Sequence, residues 1–296
     1  MDPHDLIDAT QSLADGVLFG ATYALLGIGF TLIFGVLHKI NMSYAAASIG
    51  AAYASLLILA VFKAPAIVVF VTAAAAGGVI GALVYLVGFK FIPLNNPLAT
   101  LMSTVGLLLL IDELIVHTTD GVPKNYPAIF SDVIVRLGPF NLRGDLMFVF
   151  VLGCICMVVL LLLLHRTRLG LATRAVSQQP IASQLCGIRI GRVNLLTFVV
   201  TGVLGGIAGA MIGAAIGLLS PLLALPLTVK GLIVTVIGGL GSIPGAIIAG
   251  LIVGGLENLI QFFRGVSERD LYIMLLLFVF LVFRPGGIFA GAHGRD

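Results

Sequence analysis

From Val193 to Val229 the chain carries no ionisable side chain, and beyond Lys230 a second uncharged run extends from Gly231 to Leu256. An ordinary water-soluble domain has roughly a quarter of its residues charged and does not sustain such stretches. Further uncharged runs cover Gly16–Leu37, Tyr44–Phe62, Ala66–Phe89, Leu98–Ile111, Leu146–Leu164 and Leu271–Phe283. Over all 296 residues, 59% are hydrophobic and 10% charged, with a mean hydropathy of +1.17. One helical span needs about 20 apolar residues, so this content suffices for about eight or nine. A water-soluble enzyme is excluded. So is a nucleic-acid binder, because a net charge of +3 spread over loops forms no basic patch.

Proline and clustered glycine divide the two longest runs. Val193–Val229 reads as one helix to about Gly217, followed by a loop at Pro221 and Pro226. In Gly231–Phe263 the turn Gly238-Gly239-Leu240-Gly241-Ser242-Ile243-Pro244-Gly245 leaves a short segment before it and a full span after it. The run from Leu98 continues helically to about His117. The fold expected is therefore an all-α polytopic membrane protein, one domain over 1–296. It has about eight full transmembrane helices, one short or re-entrant helix at 231–245, and glycine-rich packing.

Charge placement orients the chain by the positive-inside bias of short loops. The 165–192 loop carries Arg166, Arg168, Arg174, Arg189 and Arg192 with no acidic residue, so it is expected on the cytoplasmic side. The N-terminal tail, 1–15, has four Asp and no Lys or Arg, and is expected outside with the balanced 118–145 loop. A tail at Arg284 and Arg295 placed inside favours a full crossing by the broken segment. The start lacks the basic region of a cleaved signal peptide, so the mature chain is expected to begin with the sequence.

Spans pack in lipid through close backbone approach at small residues. Gly205, Gly209, Gly213 and Gly217, four apart, form one stripe, and Ala246, Gly250 and Gly254, like Gly77 and Gly81, repeat the spacing. Static packing is the simpler reading and a sliding gate the alternative. Chemistry is sparse. Cys154, Cys156 and Cys186 suggest neither a disulfide framework nor a metal site. No lysine follows a glycine, so there is no phosphate-binding P-loop. Ser242 lacks the flanking glycines of a nucleophile elbow. Among ionisable residues inside spans, Asp112 and Glu113 sit towards a helix end. Glu257 is a candidate pathway group that Asn258 and neighbouring helices would otherwise satisfy, and Lys230 reads as a snorkelling anchor or vestibule lining. The run from Arg174 to Gly187, RAVSQQPIASQLCG, sets Ala175, Ala182, Leu185 and Gly187 among polar residues. Pro180 is placed to begin a short helix that docks on a partner or lies as a solvated linker.

Four stretches resemble the inner-membrane permeases of branched-chain amino acid ABC importers, of the LivH type. They are RAVSQQPIASQLCGI at 174–188, GGLGSIPGAIIAGLIVGGLENL at 238–259, RPGGIFAG at 284–291 and GATYALLGIGFTLIFGVLHKIN at 20–41. The resemblance implies a bacterial inner-membrane permease that binds no cofactor itself. ATP and Mg would be held by two cytoplasmic ATPase subunits, alongside a homologous second permease of the LivM type and a periplasmic substrate-binding protein. It makes Arg174, Ala175, Gln179, Ala182, Leu185 and Gly187 the segment that meets an ATPase. Candidate pathway or gate residues are Asn41, Tyr44, Gly239, Gly241, Ser242 and Glu257. Two places depart from the family: its usual His-Gly pair is Tyr44-Ala45 here, and its Gln-Asn pair is Asp112-Glu113. Related permeases carry urea, short amides and other amino acids. An ion-coupled secondary transporter is the alternative of another class; it would show paired acids near the midplane and inverted repeats. Only a faint echo links ASIGAAYASL with GSIPGAIIAGL.

Overall fold

A computed structural model of the chain describes residues 3–62, 67–92, 97–127, 129–130, 133–137, 140–284 and 286–289. Among the described residues, nine long helices run between two ends of the molecule: α1 (Pro3–Leu37), α2 (Tyr44–Phe62), α3 (Val68–Gly88), α4 (Pro97–Thr119), α5 (Gly144–Arg166), α8 (Ile190–Ile216), α9 (Ala224–Gly238), α10 (Ile243–Arg264) and α11 (Val266–Phe283). Seven helical stretches among the described residues, including Pro221–Gly238, are long and apolar enough to cross a membrane. The helix α2 adds the shorter apolar stretch Tyr44–Leu59, and α11 is an 18-residue helix whose first turns carry Glu268, Arg269 and Asp270. Two small helices, α6 (Arg168–Gln178) and α7 (Pro180–Leu185), lie in the Arg-rich connection at one end. The opposite end carries a hairpin of β2 (Ile134–Leu137) with β3 (Phe140–Arg143), and a short pairing of β1 (Lys124–Asn125) with β4 (Leu218–Leu219).

Two expectations are corrected here. The segment 1–15 is no tail: from Pro3 it forms the first turns of α1, with Asp5 near the helix N-terminus, where a negative charge is favourable. Gln11 then pairs through both ends of its amide with the backbone of Asn141 in β3, at 2.7 and 3.0 Å. Pro226 breaks nothing, because it falls in the first turn of α9, where its missing N–H has no intrahelical partner to lose. A 3₁₀ turn at Pro221–Leu223 leads into α9, and together they connect the hairpin end to the α7 end. The stretch Pro221–Gly238 is long and apolar enough to cross a membrane, in keeping with the full crossing that the charge placement favours.

Glycine sets the packing. Gly16 and Gly20 of α1 lie against Gly250 and Gly254 of α10, so close that a β-carbon on any of them would meet opposing backbone. Gly77 and Gly81 of α3 meet Gly202 and Gly206 of α8 in the same way. Of the stripe read from sequence, Gly205 and Gly209 face Tyr44 and Ser48 of α2, and Gly213 faces the ring of Tyr126. Gly217 leaves the stripe and ends α8 in a left-handed conformation, φ 76°. Burial pushes the Tyr126 phenol above the ordinary tyrosine range, and its hydroxyl lies 3.1 Å from that of Ser55. The core centres on α1 and α8, while α4, α5 and α11 turn apolar side chains such as Leu109, Val158 and Phe278 outward.

Candidate functional site

At the α7 end the sequence builds an exposed two-helix elbow. Thr167 caps α6, its hydroxyl oxygen accepting from Gly170 N at 3.2 Å. Val176 is buried with Val36 of α1 and Val193 of α8, which fixes α6 to the bundle. Gln179 sits between the helices: its N–H donates to Ala175 O at 3.1 Å, and its carbonyl accepts from Ser183 N at 3.0 Å. Pro180 opens α7 as its first helical residue. Gly187, at φ 85°, closes it, with its own N–H donating to Gln184 O and that of Ile188 to Ser183 O, each at 3.0 Å. A left-handed residue after the last turn satisfies carbonyls that the helix leaves open. Of the six expected docking residues, Arg174, Gln179, Ala182, Leu185 and Gly187 are exposed and Ala175 is half-buried. Leu185 is 86% exposed, and Ile181, four residues earlier on the same face, is 78% exposed. Sequence reasoning missed Ile181, although its i,i+4 spacing to Leu185 was the available signal.

Behind this elbow lies a cavity of about 750 Å³. The end of α1, the end of α5, α6 and the 239–244 turn all contribute to its walls. Gly239 (φ 98°) and Gly241 (φ 89°) let the chain reverse between α9 and α10 in a conformation closed to other residues without strain. Ser242 then caps α10, accepting from Gly245 N at 3.2 Å. Of the candidate gate residues, Gly241 and Ser242 line this cavity together with Arg174 of the elbow. Gly239 lies just outside it, packed under Gly287. Thr31, His38 and His165 also line it, and sequence reasoning had assigned them nothing.

Asn41 and Tyr44 come together elsewhere. Asn41 Oδ1 accepts from Ser43 N at 3.2 Å and Ser43 Oγ at 2.7 Å, which starts α2. Tyr44 donates its hydroxyl to Thr201 O at 3.2 Å and stands edge-on to Phe30 at 5.0 Å between ring centroids. Its ring fills the space that Gly29 and Gly205 leave by lacking a side chain. The void beside both residues is about 10 Å³, the size of a single water.

Glu257 belongs to a third place, towards the hairpin end. It is 4% exposed and accepts from Lys230 Nζ at 2.7 Å. Arg269 Nε stands 3.1 Å from the same carboxylate, and Asp270 lies 3.3 Å from Lys230. Tyr23 accepts a longer bond from Lys230 at 3.4 Å. Lys230 is therefore no snorkelling anchor. Side chains lean towards a helix N-terminus, and α9 runs from the hairpin end to the α7 end, so Lys230 reaches back into the bundle to Glu257 rather than out to an interface. Asp112 is half-buried, with Oδ1 making no hydrogen bond, and Glu113 is exposed on the outer face of α4. The structure thus brings the six candidate gate residues to three separate places rather than one channel.

Comparison with known proteins adds the remaining observations. A family profile described as "Branched-chain amino acid transport system / permease component" matches residues 12–283, which takes in most or all of every long helix. The chain is 29% identical over 291 residues to the high-affinity branched-chain amino acid transport system permease protein BraD of Pseudomonas aeruginosa, covering 94% of each. It is 27% identical over 290 residues to the corresponding permease protein LivH of Escherichia coli, again covering 94% of each. Among solved structures, PsaBC from Streptococcus pneumoniae in complex with Fab shares the fold, with a TM-score of 0.51 at 14% identity. That likeness covers 92% of this chain and 90% of the other.

Proposed function

Because the chain belongs to the family of branched-chain amino acid transport system permease components, we propose that it carries branched-chain or similarly apolar amino acids across a bacterial inner membrane into the cytoplasm. The work comes from ATP hydrolysed with Mg on two separate subunits. A homologous second permease completes the passage, and a periplasmic binding protein delivers the solute. In this reading the α7 end faces the cytoplasm and the start of α1 faces the periplasm. The names of the relatives that match along almost their whole length support the substrate class.

The observation that carries the mechanism is the elbow. Two large apolar side chains, Ile181 and Leu185, stand in the open at one tip of the bundle, on a helix that α6 ties to α1 and α8. An exposed apolar face on a rigid mount suits a groove on a partner chain. Arg174 of the elbow lines the same cavity as Gly241 and Ser242 of the α9–α10 turn, and Val176 packs on α1 and α8, through which displacement of the elbow reaches the bundle. Nucleotide drives the switch between two transport states only through different affinities for them.

The test is uptake of labelled leucine and labelled urea into vesicles holding the chain with its partner subunits, with and without ATP. ATP-dependent leucine uptake that requires the binding protein is the expected result. Urea uptake without leucine uptake would move the substrate and keep the architecture. Uptake that ignores ATP and follows an ion gradient would overturn the reading.

A further inference from the structure

The charges of this chain are divided by end. No Asp or Glu occurs from 16 to 111 or from 146 to 256. The described carboxylates stand in the hairpin-end halves of α1, α4, α5, α10 and α11 or in the connections beyond them. The α7 end, by contrast, carries exposed Lys90, Arg166, Arg168, Arg189 and Arg192, and these stretches supply no carboxylate to neutralise them. Cations at a membrane border draw their counter-ions from the surroundings, above all from anionic headgroups.

Two of these cations meet at one place. The helices α3 and α8 run antiparallel, with Gly77 against Gly206 and Gly81 against Phe198 O and Gly202. One turn beyond Gly81, the Tyr85 hydroxyl reaches the start of α8, 3.7 Å from where a β-carbon on Gly191 would stand. Arg192 follows Gly191, and Lys90 comes just over a turn after Tyr85, its N–H donating to Tyr85 O at 3.0 Å. Lys90 and Arg192 thus flank a single contact between two helix ends. Beneath them the outer faces are apolar. Val79, Leu83, Val87 and Phe91, each four residues apart, are all exposed, and so is Leu196, one turn into α8 from Arg192. Lys90 Nζ stands 5.3 Å from the centre of the Phe91 ring, which keeps the ammonium at the top of that stripe.

We infer that this α3–α8 end is a binding site for an anionic phospholipid. Its phosphate is held between Lys90 and Arg192, and an acyl chain lies along Val87, Leu83 and Leu196. The positive end of the 27-residue α8 adds to the same field. A lipid satisfies both halves of this surface, whereas a soluble phosphate meets only the cations and leaves the stripe beneath them unused. The site is separate from the exposed face of Ile181 and Leu185, and none of its residues lines the cavity behind the elbow. It requires that α3 and α8 stand in a membrane, and it is independent of the solute carried and of any ATPase.

The test is native mass spectrometry of the purified full-length chain with its partner subunits in detergent, titrated with dioleoyl phosphatidylglycerol, dioleoyl phosphatidylcholine or glycerol 3-phosphate. The expected result is saturable binding of phosphatidylglycerol, with phosphatidylcholine about tenfold weaker and glycerol 3-phosphate unable to compete. Combining Lys90→Gln with Arg192→Gln weakens the phosphatidylglycerol site about 30-fold, as two cations each worth about fivefold at an anionic surface. Either substitution alone weakens it about fivefold, so the singles decide should the pair fail to assemble. Arg166→Gln with Arg168→Gln removes as many charges at the α5–α6 corner and hardly changes the affinity. Equal losses from the two pairs would mean a diffuse basic belt and overturn the site, as would unchanged binding in the Lys90 and Arg192 variants. Phosphatidylcholine binding as tightly as phosphatidylglycerol removes the role of the cations and overturns the proposal. Competition by glycerol 3-phosphate would make the ligand a soluble anion and overturn the assignment to lipid.

Discussion

At the residue scale, the ion cluster of Lys230, Glu257, Arg269 and Asp270 shows how a charge survives in this bundle. Two cations and two carboxylates balance, and the most buried member, Glu257, touches both cations. Removing one partner of a buried pair costs roughly 3–5 kcal/mol, because the other is left uncompensated. The partners are unequal, however. Glu257→Leu leaves Lys230 with the half-exposed Asp270 as its nearest carboxylate, whereas Lys230→Met leaves Glu257 still paired with Arg269. Glu257→Leu is thus expected to lower the melting temperature in detergent at least twice as far as Lys230→Met. Equal losses would show that Arg269 contributes nothing to holding the carboxylate. The sequence displayed Lys230 and Glu257 as isolated charges. Their pairing across 27 residues depends on the α9–α10 reversal and on the backward lean of a lysine stem, which periodicity does not reveal.

Elements were the most legible level, and the reason is physical. In lipid every backbone group must bond within its own segment, so an uncharged run of sufficient length is almost forced to be a helix. The runs ending at Leu37, Phe62 and Leu164 became α1, α2 and α5 with ends close to the charges that bound them. What failed were the local exceptions. Asp residues at the start of α1 resembled a tail because charge marks loops, yet a helix N-terminus welcomes acids. Pro226 resembled a breaker because its place in the first turn was unknown. The cavity was invisible because its walls come from α1, α5, α6 and the 239–244 turn, which sequence spacing does not associate. Glycine spacing announced close packing but not partners. Gly202 and Gly206, which bind α8 to α3, lie one step off the stripe that stood out. Gly206→Leu would place its side chain on the Ala73 carbonyl, and loss of the folded protein from detergent extracts is the expected outcome. Gly106 on α4 has open space around it, so Gly106→Ala should stabilise by about 0.5–1 kcal/mol through helix propensity alone, read as a higher melting temperature. A harmless Gly206→Leu would mean that α3 and α8 separate easily, and with it the idea of a rigid centre would go.

The whole molecule is held together by construction rather than by composition. Two glycine-lined pairs, α1 with α10 and α3 with α8, join backbone to backbone across the centre. The hairpin end is further tied by the ion cluster and by Gln11 on β3. The α7 end has ties of its own: Gly238 packs on Gly245, Gly239 packs under Gly287, Ile288 N–H donates to Ile237 O at 2.8 Å, and Val176 is buried beneath the elbow. A force applied at α7 therefore reaches the bundle through the elbow, whose docking role is separable from its part in folding. Leu185→Asp separates these roles, because Leu185 is almost fully exposed and leaves no buried gap when replaced. Its effect on the melting temperature should be negligible, as for surface substitutions worth within about 0.5 kcal/mol. If the elbow seats in an ATPase groove, the same change should cut ATP-driven uptake about tenfold or more, the consequence of losing a buried apolar anchor at an interface. Ile181→Asp should do likewise and the double variant should abolish uptake, with the ATPase subunits lost on purification. Full uptake in the double variant, with the subunits retained, would leave α7 a headgroup-bound linker and move the docking surface elsewhere on the 165–192 connection.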